Sequence, residues 1–114
     1  MAVASRENEE QVLIPRALVE RMGALGLTAS EFLLVVTVLS FSAGGTGPVL
    51  VSSSQVAKRM AVTQRCVQLL RSKLVRRGFI RVVPLPWHGR GAGSWNLAGL
   101  WRALQECPLQ HEGT

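Results

Sequence analysis

Acidic residues are absent from most of this chain. Between Glu31 and Glu106 there is no Asp or Glu, although the same segment carries ten lysine and arginine side chains. Paired-carboxylate chemistry is therefore excluded there, because it needs two carboxylates in one place. The segment also cannot neutralise its own positive charge, so the composition favours a polyanionic partner such as nucleic acid.

Cysteine and histidine are also scarce. Cys66 and Cys107 lie 41 residues apart and form no metal-binding spacing with His88 and His111. This pattern predicts two reduced thiols rather than a zinc site. No Ser–His–acid or Cys–His set can be assembled, so we expect no enzymatic activity, no bound metal and no cofactor.

No apolar run is long enough to span a membrane. The longest, from Phe32 to Phe41, has about half of the ~20 residues that a transmembrane helix requires. The first ten residues are polar and acidic, unlike a signal peptide. For a chain of 114 residues with a net charge of +6, we expect one basic, cytoplasmic domain without membrane contact.

Start and stop signals for helices recur along the sequence. Thr28 with Glu31 and Ser52 with Gln55 form two capping boxes, and Thr63 caps a further helix that Gly78 ends. The expected order is a short helix from Pro15 to Gly23, a helix over 28–43, a strand over 49–51, helices over 53–60 and 63–77, strands over 79–83 and 94–97, and a last helix before Pro108. We expect a flexible N-terminal arm over 1–11, a domain over 12–106 and a C-terminal tail over 107–114.

Two short helices, a tight turn, a longer basic helix and a two-stranded hairpin are the elements of a winged helix-turn-helix. The stretch from Gln55 to Ile80 (QVAKRMAVTQRCVQLLRSKLVRRGFI) resembles the signature of that DNA-binding family. The preceding segment, with Ile14-Pro15-Arg16 and Leu27-Thr28-x-x-Glu31, is similar to the start of the DNA-binding domains of plasmid replication initiators and phage replisome-organiser proteins. The expected fold class is mainly α with a small β-hairpin wing (α+β).

Helical periodicity gives the 63–77 helix two faces. Cys66, Val67, Leu70 and Leu74 fall on the side expected to face the core. The opposite side carries Arg65, Gln68, Leu69, Ser72 and Arg76, with Gln64 and Arg71 flanking it. The N-terminal half of such a helix enters the major groove, where Arg contacts guanine and Gln contacts adenine. The predicted base-reading residues are Gln64, Arg65 and Gln68. Leu69 either touches a thymine methyl group or is ordinary surface.

A second set of residues is expected at the DNA backbone. The start of the 53–60 helix suits a phosphate because its amides are free. Arg90, at the tip of the wing, is placed to reach the adjacent minor groove. The predicted backbone residues are Ser52, Ser53, Ser54, Lys58, Arg59, Arg71, Lys73 and Arg77, and the predicted wing residues are His88 and Arg90.

These residues predict a sequence-specific double-stranded DNA-binding protein, with the helix at about 63–77 in the major groove and the wing at about 79–97 on the backbone or minor groove. It would act in replication initiation or transcriptional regulation. Two alternatives stay open, a protein-interaction winged helix and a non-specific nucleic-acid-binding module. The helix over 28–43 is apolar on every side, so it is covered either by the first and last helices or by a second copy in a homodimer.

Overall fold

The chain folds into five α-helices and a small three-stranded sheet within the part that the structure describes. The computed structural model describes residues 14–42, 47–85, 87 and 91–106. The helices are α1 (Arg16–Arg21), α2 (Ala29–Leu39), α3 (Ser53–Met60), α4 (Gln64–Arg76) and α5 (Ala98–Glu106), and the strands are β1 (Val49–Ser52), β2 (Arg81–Pro84) and β3 (Ala92–Asn96). The expected α+β class is confirmed, in an arrangement compatible with a winged helix. The predicted arm (1–11) and tail (107–114) lie outside the described residues.

Three of the predicted helix starts are confirmed by their capping geometry. At α2, the Thr28 side chain accepts a 3.1 Å hydrogen bond from the Glu31 amide, and the Glu31 carboxylate accepts one of 2.9 Å from the Thr28 amide. Ser52 and Gln55 make the same reciprocal pair at α3. Thr63 accepts from the amide of Cys66 at the start of α4. Each cap satisfies backbone donors that the helix itself leaves free.

Helix α2 ends at Leu39, four residues before the predicted end. The backbone tightens there, because the amides of Phe41 and Ser42 donate to carbonyls three residues earlier, at Val38 and Leu39. The Ser40 hydroxyl also donates to the Thr37 carbonyl, which competes with continued helical bonding. Helix α4 ends as predicted, with Gly78 in a left-handed conformation at φ 79°.

The sheet has the order β1–β3–β2, and both pairings are antiparallel. Its central strand begins at Ala92, two residues earlier than predicted, because it pairs with β1 as well as with β2. The strand predicted from Phe79 begins instead at Arg81. The Phe79 carbonyl is used elsewhere, since it accepts a 3.0 Å hydrogen bond from the amide of Leu100 in α5.

The core surrounds α2, which packs directly against α3, α4 and β1. Leu34, Val35 and Val38 of α2 are fully buried, and Trp95 of β3 is the largest buried side chain. The first and last helices, α1 and α5, pack against each other, and their expected covering of α2 stays a prediction. Leu33 of α2 remains 49% exposed, and the homodimer through the 28–43 region stays a prediction.

Candidate nucleic-acid interface

Helix α4 presents one face to the core and one to solvent, as its periodicity predicts. Val67, Leu70 and Leu74 are buried, and Cys66 is partly buried. The side chains of the opposite face are exposed, namely Arg65, Gln68, Leu69, Ser72 and Arg76. Packing of α4 against α2 and α3 fixes this orientation, so a row of polar and basic groups projects from the fold.

A polar cleft lies beside α4, where the first turn of α3 meets the first half of α4 and the end of the β2–β3 loop. Its volume is about 610 Å³. We call it the serine cleft, and its lining residues are Ser52, Ser53, Ser54, Gln64, Gln68, Arg71 and Gly91. The fold thus brings two of the predicted base-reading residues together with four of the predicted backbone residues. The capping serines and the helix α4 side chains come from separate parts of the sequence.

Arg71 is held in a defined position in the serine cleft. Its Nη1 atom donates a 2.9 Å hydrogen bond to the Oγ atom of Ser53. Its guanidinium carbon lies 5.6 Å from the ring centroid of Trp95, a cation–π distance. Neither contact follows from the sequence pattern, because Ser53 and Trp95 are both distant from Arg71 along the chain.

The start of α3 offers hydrogen-bond donors to the serine cleft. The first amides of a helix have no intrahelical acceptor, and Ser52 satisfies only that of Gln55. The Ser54 side chain is exposed, whereas Ser52 and Ser53 are 9% and 8% exposed. Donors and the Arg71 cation therefore converge on one side of α4, an arrangement that suits an anion.

The three predicted base-reading residues do not share one position on α4. Gln64 and Gln68 line the serine cleft, whereas Arg65 is exposed and is not among the cleft residues. Successive helical residues are rotated by about 100°, so Arg65 projects well to one side of its neighbour Gln64. The structure therefore separates a glutamine pair in the cleft from an arginine on the open face.

Besides Arg71, two more of the predicted backbone residues, Arg59 and Arg77, make contacts within the protein. The Nη1 atom of Arg59 donates a 3.0 Å hydrogen bond to the Ser40 hydroxyl, and its guanidinium carbon lies 3.9 Å from the Phe41 ring centroid. Arg77 donates to the carbonyls of Gly26 and Leu25. The two Arg77 bonds connect the end of α4 to the turn between α1 and α2. Lys58 and Lys73 are exposed.

One buried carboxylate lies close to Arg77. The Glu31 side chain is 5% exposed and lies 3.8 Å from the Nη1 atom of Arg77. In the part of the chain that the structure describes, this is the one ion pair within 4.0 Å. Among the described residues, the exposed basic side chains of α4 therefore make no ion pair within 4.0 Å, so their positive field is directed to solvent.

The structure describes only part of the loop between β2 and β3, which is the predicted wing tip. His88 and Arg90 lie outside the described residues, so their predicted contacts stay predictions. Trp87, in the same loop, is 73% exposed. Among the described residues, no three histidine, cysteine or acidic side chains are grouped closely enough to ligate a metal ion. No described helix has the length and apolarity needed to cross a membrane.

The described elements define a small α+β domain with a basic helix on its surface. No protein-family model matches this chain, and no curated protein matches it in sequence. Its fold is similar to a solved structure, the crystal structure of the N-terminal domain of DnaD protein from Geobacillus kaustophilus. The TM-score is 0.64 at 23% sequence identity, and the match covers 92% of this chain and 86% of the other. At this identity the likeness describes the fold.

Proposed function

We propose that this chain is a winged-helix protein that binds double-stranded DNA in a sequence-specific manner and has no enzymatic activity. Helix α4 serves as the recognition helix in the major groove. The β2–β3 hairpin is the wing, which lies along the backbone or the adjacent minor groove. The fold likeness to the N-terminal domain of DnaD supports the architectural part of this proposal.

The observation that carries the proposal is the solvent-exposed face of α4. It presents Arg65, Lys73 and Arg76 on a helix whose other face is fixed in the core. Basic groups on a rigid helix are suited to duplex DNA, because the major groove admits an α-helix and its phosphate rims attract cations.

The serine cleft gives this arrangement a second contact region. Its donors lie at the start of α3, the helix that precedes the recognition helix in a helix-turn-helix. In our proposal, a backbone phosphate at this cleft fixes how α4 enters the groove, while the exposed side chains of α4 meet the base edges. Replication initiation or transcriptional regulation is the proposed setting, as the sequence resemblance implies.

Selection from a random pool of DNA duplexes at physiological salt, followed by sequencing, tests the proposal. Enrichment of a defined site is the expected result. Binding that falls steeply with salt but enriches no site would indicate a non-specific nucleic-acid-binding module. Absence of duplex binding at any salt concentration would favour the alternative in which the basic face meets an acidic protein. An enriched palindrome would support the predicted homodimer.

A further inference from the structure

Leu69 is an apolar side chain on the basic face of α4. It is 54% exposed, although Val67, Leu70 and Leu74 of the same helix are buried. Arg65 precedes it by one helical turn and Lys73 follows it by one turn. The core therefore does not use this leucine, and a partner that covered it together with the neighbouring cations would have to be both anionic and locally apolar.

The geometry of α4 ties Leu69 to the proposed DNA-facing surface. At about 100° per residue, Arg65, Leu69 and Arg76 project within an arc of about 40°. All three side chains are exposed. A surface that Arg65 and Arg76 contact together therefore passes directly over Leu69, which lies between them along the helix.

Duplex DNA offers one apolar group in the major groove, the 5-methyl group of thymine. It lies among hydrogen-bonding edges and between two phosphate backbones, which matches a leucine flanked by basic side chains. RNA does not fit this pattern, because uracil lacks the methyl group and the A-form major groove is too narrow for side chains to read.

We infer that Leu69 is a specificity-determining residue that contacts the 5-methyl group of a thymine, within about two base pairs of the base that Arg65 contacts. The spacing follows from the helix, since four residues advance by about 6 Å and stacked bases by about 3.4 Å. The inference rests on the proposed function.

The test uses the duplex enriched by selection, with each thymine replaced singly by deoxyuridine. Deoxyuridine lacks only the methyl group, so base pairing is unchanged. Wild-type protein is expected to lose about fourfold in affinity at one position, the effect of burying one methyl group. Leu69→Ala is expected to bind the thymine and deoxyuridine duplexes equally well at that position, and to bind both more weakly than the wild type binds the thymine duplex.

Leu50→Ala is the matched control, because Leu50 lies in β1 and is 50% exposed. It is expected to keep the full deoxyuridine effect. Equal affinity of the wild-type protein for all the substituted duplexes would overturn the inference even without a variant. A deoxyuridine effect of unchanged size in Leu69→Ala would also overturn it. Failure of the selection to enrich any site would instead remove the proposed function, and this inference with it.

Discussion

The Nη1 atom of Arg71 donates a 2.9 Å hydrogen bond to the Oγ atom of Ser53. This bond joins the middle of α4 to the first turn of α3, and the Trp95 ring in β3 lies beneath the same guanidinium group at 5.6 Å. One side chain therefore connects two helices and the sheet. Because Arg71 is held before any ligand binds, it would lose less conformational freedom on contacting a phosphate than an unrestrained arginine.

Replacing Arg71 by lysine tests this arrangement without changing the charge. Arg71→Lys is expected to lower the free energy of unfolding by about 1 kcal/mol, because the planar fork that reaches Ser53 is lost. DNA affinity is expected to fall for all duplexes alike, since a phosphate contact carries no sequence information. Urea denaturation and binding titrations measure the two effects.

Arg76→Lys is the matched control, because Arg76 is exposed at the end of the same helix. It is expected to change the free energy of unfolding by less than about 0.5 kcal/mol. If Arg71→Lys and Arg76→Lys lower the free energy of unfolding equally, the bond between Arg71 and Ser53 makes no specific contribution to stability.

Arg77 is expected to act mainly in folding. It lies 3.8 Å from the buried Glu31 carboxylate and bonds two carbonyls of the α1–α2 turn. Arg77→Ala is expected to reduce the free energy of unfolding by about 1–3 kcal/mol, because Glu31 is left buried without its cation. A double-mutant cycle with Glu31→Gln measures their coupling by urea denaturation.

The same variant separates this role from the phosphate contact that the sequence predicts for Arg77. If that contact dominates, the slope of log affinity against log salt concentration should fall by about one in Arg77→Ala, at unchanged stability. We expect the reverse pattern, a loss of stability with a nearly unchanged slope.

Gly99 is expected to allow the close packing of α5 against the backbone of Gly78 and Phe79. A Cβ atom at this position would lie 1.9 Å from the carbonyl oxygen of Gly78, and backbone cannot yield as a flexible side chain can. Gly99→Ala is therefore expected to cost at least about 1–3 kcal/mol of unfolding free energy. Gly23→Ala is the control, because a Cβ atom there meets nothing within 4 Å. In thermal melting, Gly99→Ala should unfold at a clearly lower temperature than Gly23→Ala, and similar melting midpoints for the two variants would contradict the prediction.

Local signals explain why much of the helical structure could be predicted. A capping box joins residues three apart, so Thr28 with Glu31 and Ser52 with Gln55 identified helix starts without tertiary information. The end of α2 was less predictable, because Ser40 and Thr37 compete for the backbone through contacts that the apolar run does not reveal.

Contacts between distant residues account for what the sequence did not reveal. The pairing of Val49 with Trp95 joins strands 46 residues apart and makes the sheet three-stranded. Likewise, the positive charges of Arg59 and Arg77 resemble those of DNA-contacting residues in sequence, and only the fold shows that Phe41 and Glu31 lie beside them. The charge pattern predicted the basic surface, but it did not show which of the basic side chains make contacts within the protein.

Arg65 is expected to determine sequence preference, whereas Lys58 is expected to contribute affinity alone. Both side chains are exposed, Arg65 in the first turn of α4 and Lys58 in the last turn of α3. Arg65→Ala should cost about 1–3 kcal/mol on the selected site and relax one base position, because a paired contact to guanine is lost. Lys58→Ala should weaken every duplex equally and reduce the salt slope by about one. Titrations of selected and scrambled duplexes measure both, and a uniform loss for Arg65→Ala would exclude base reading by this residue.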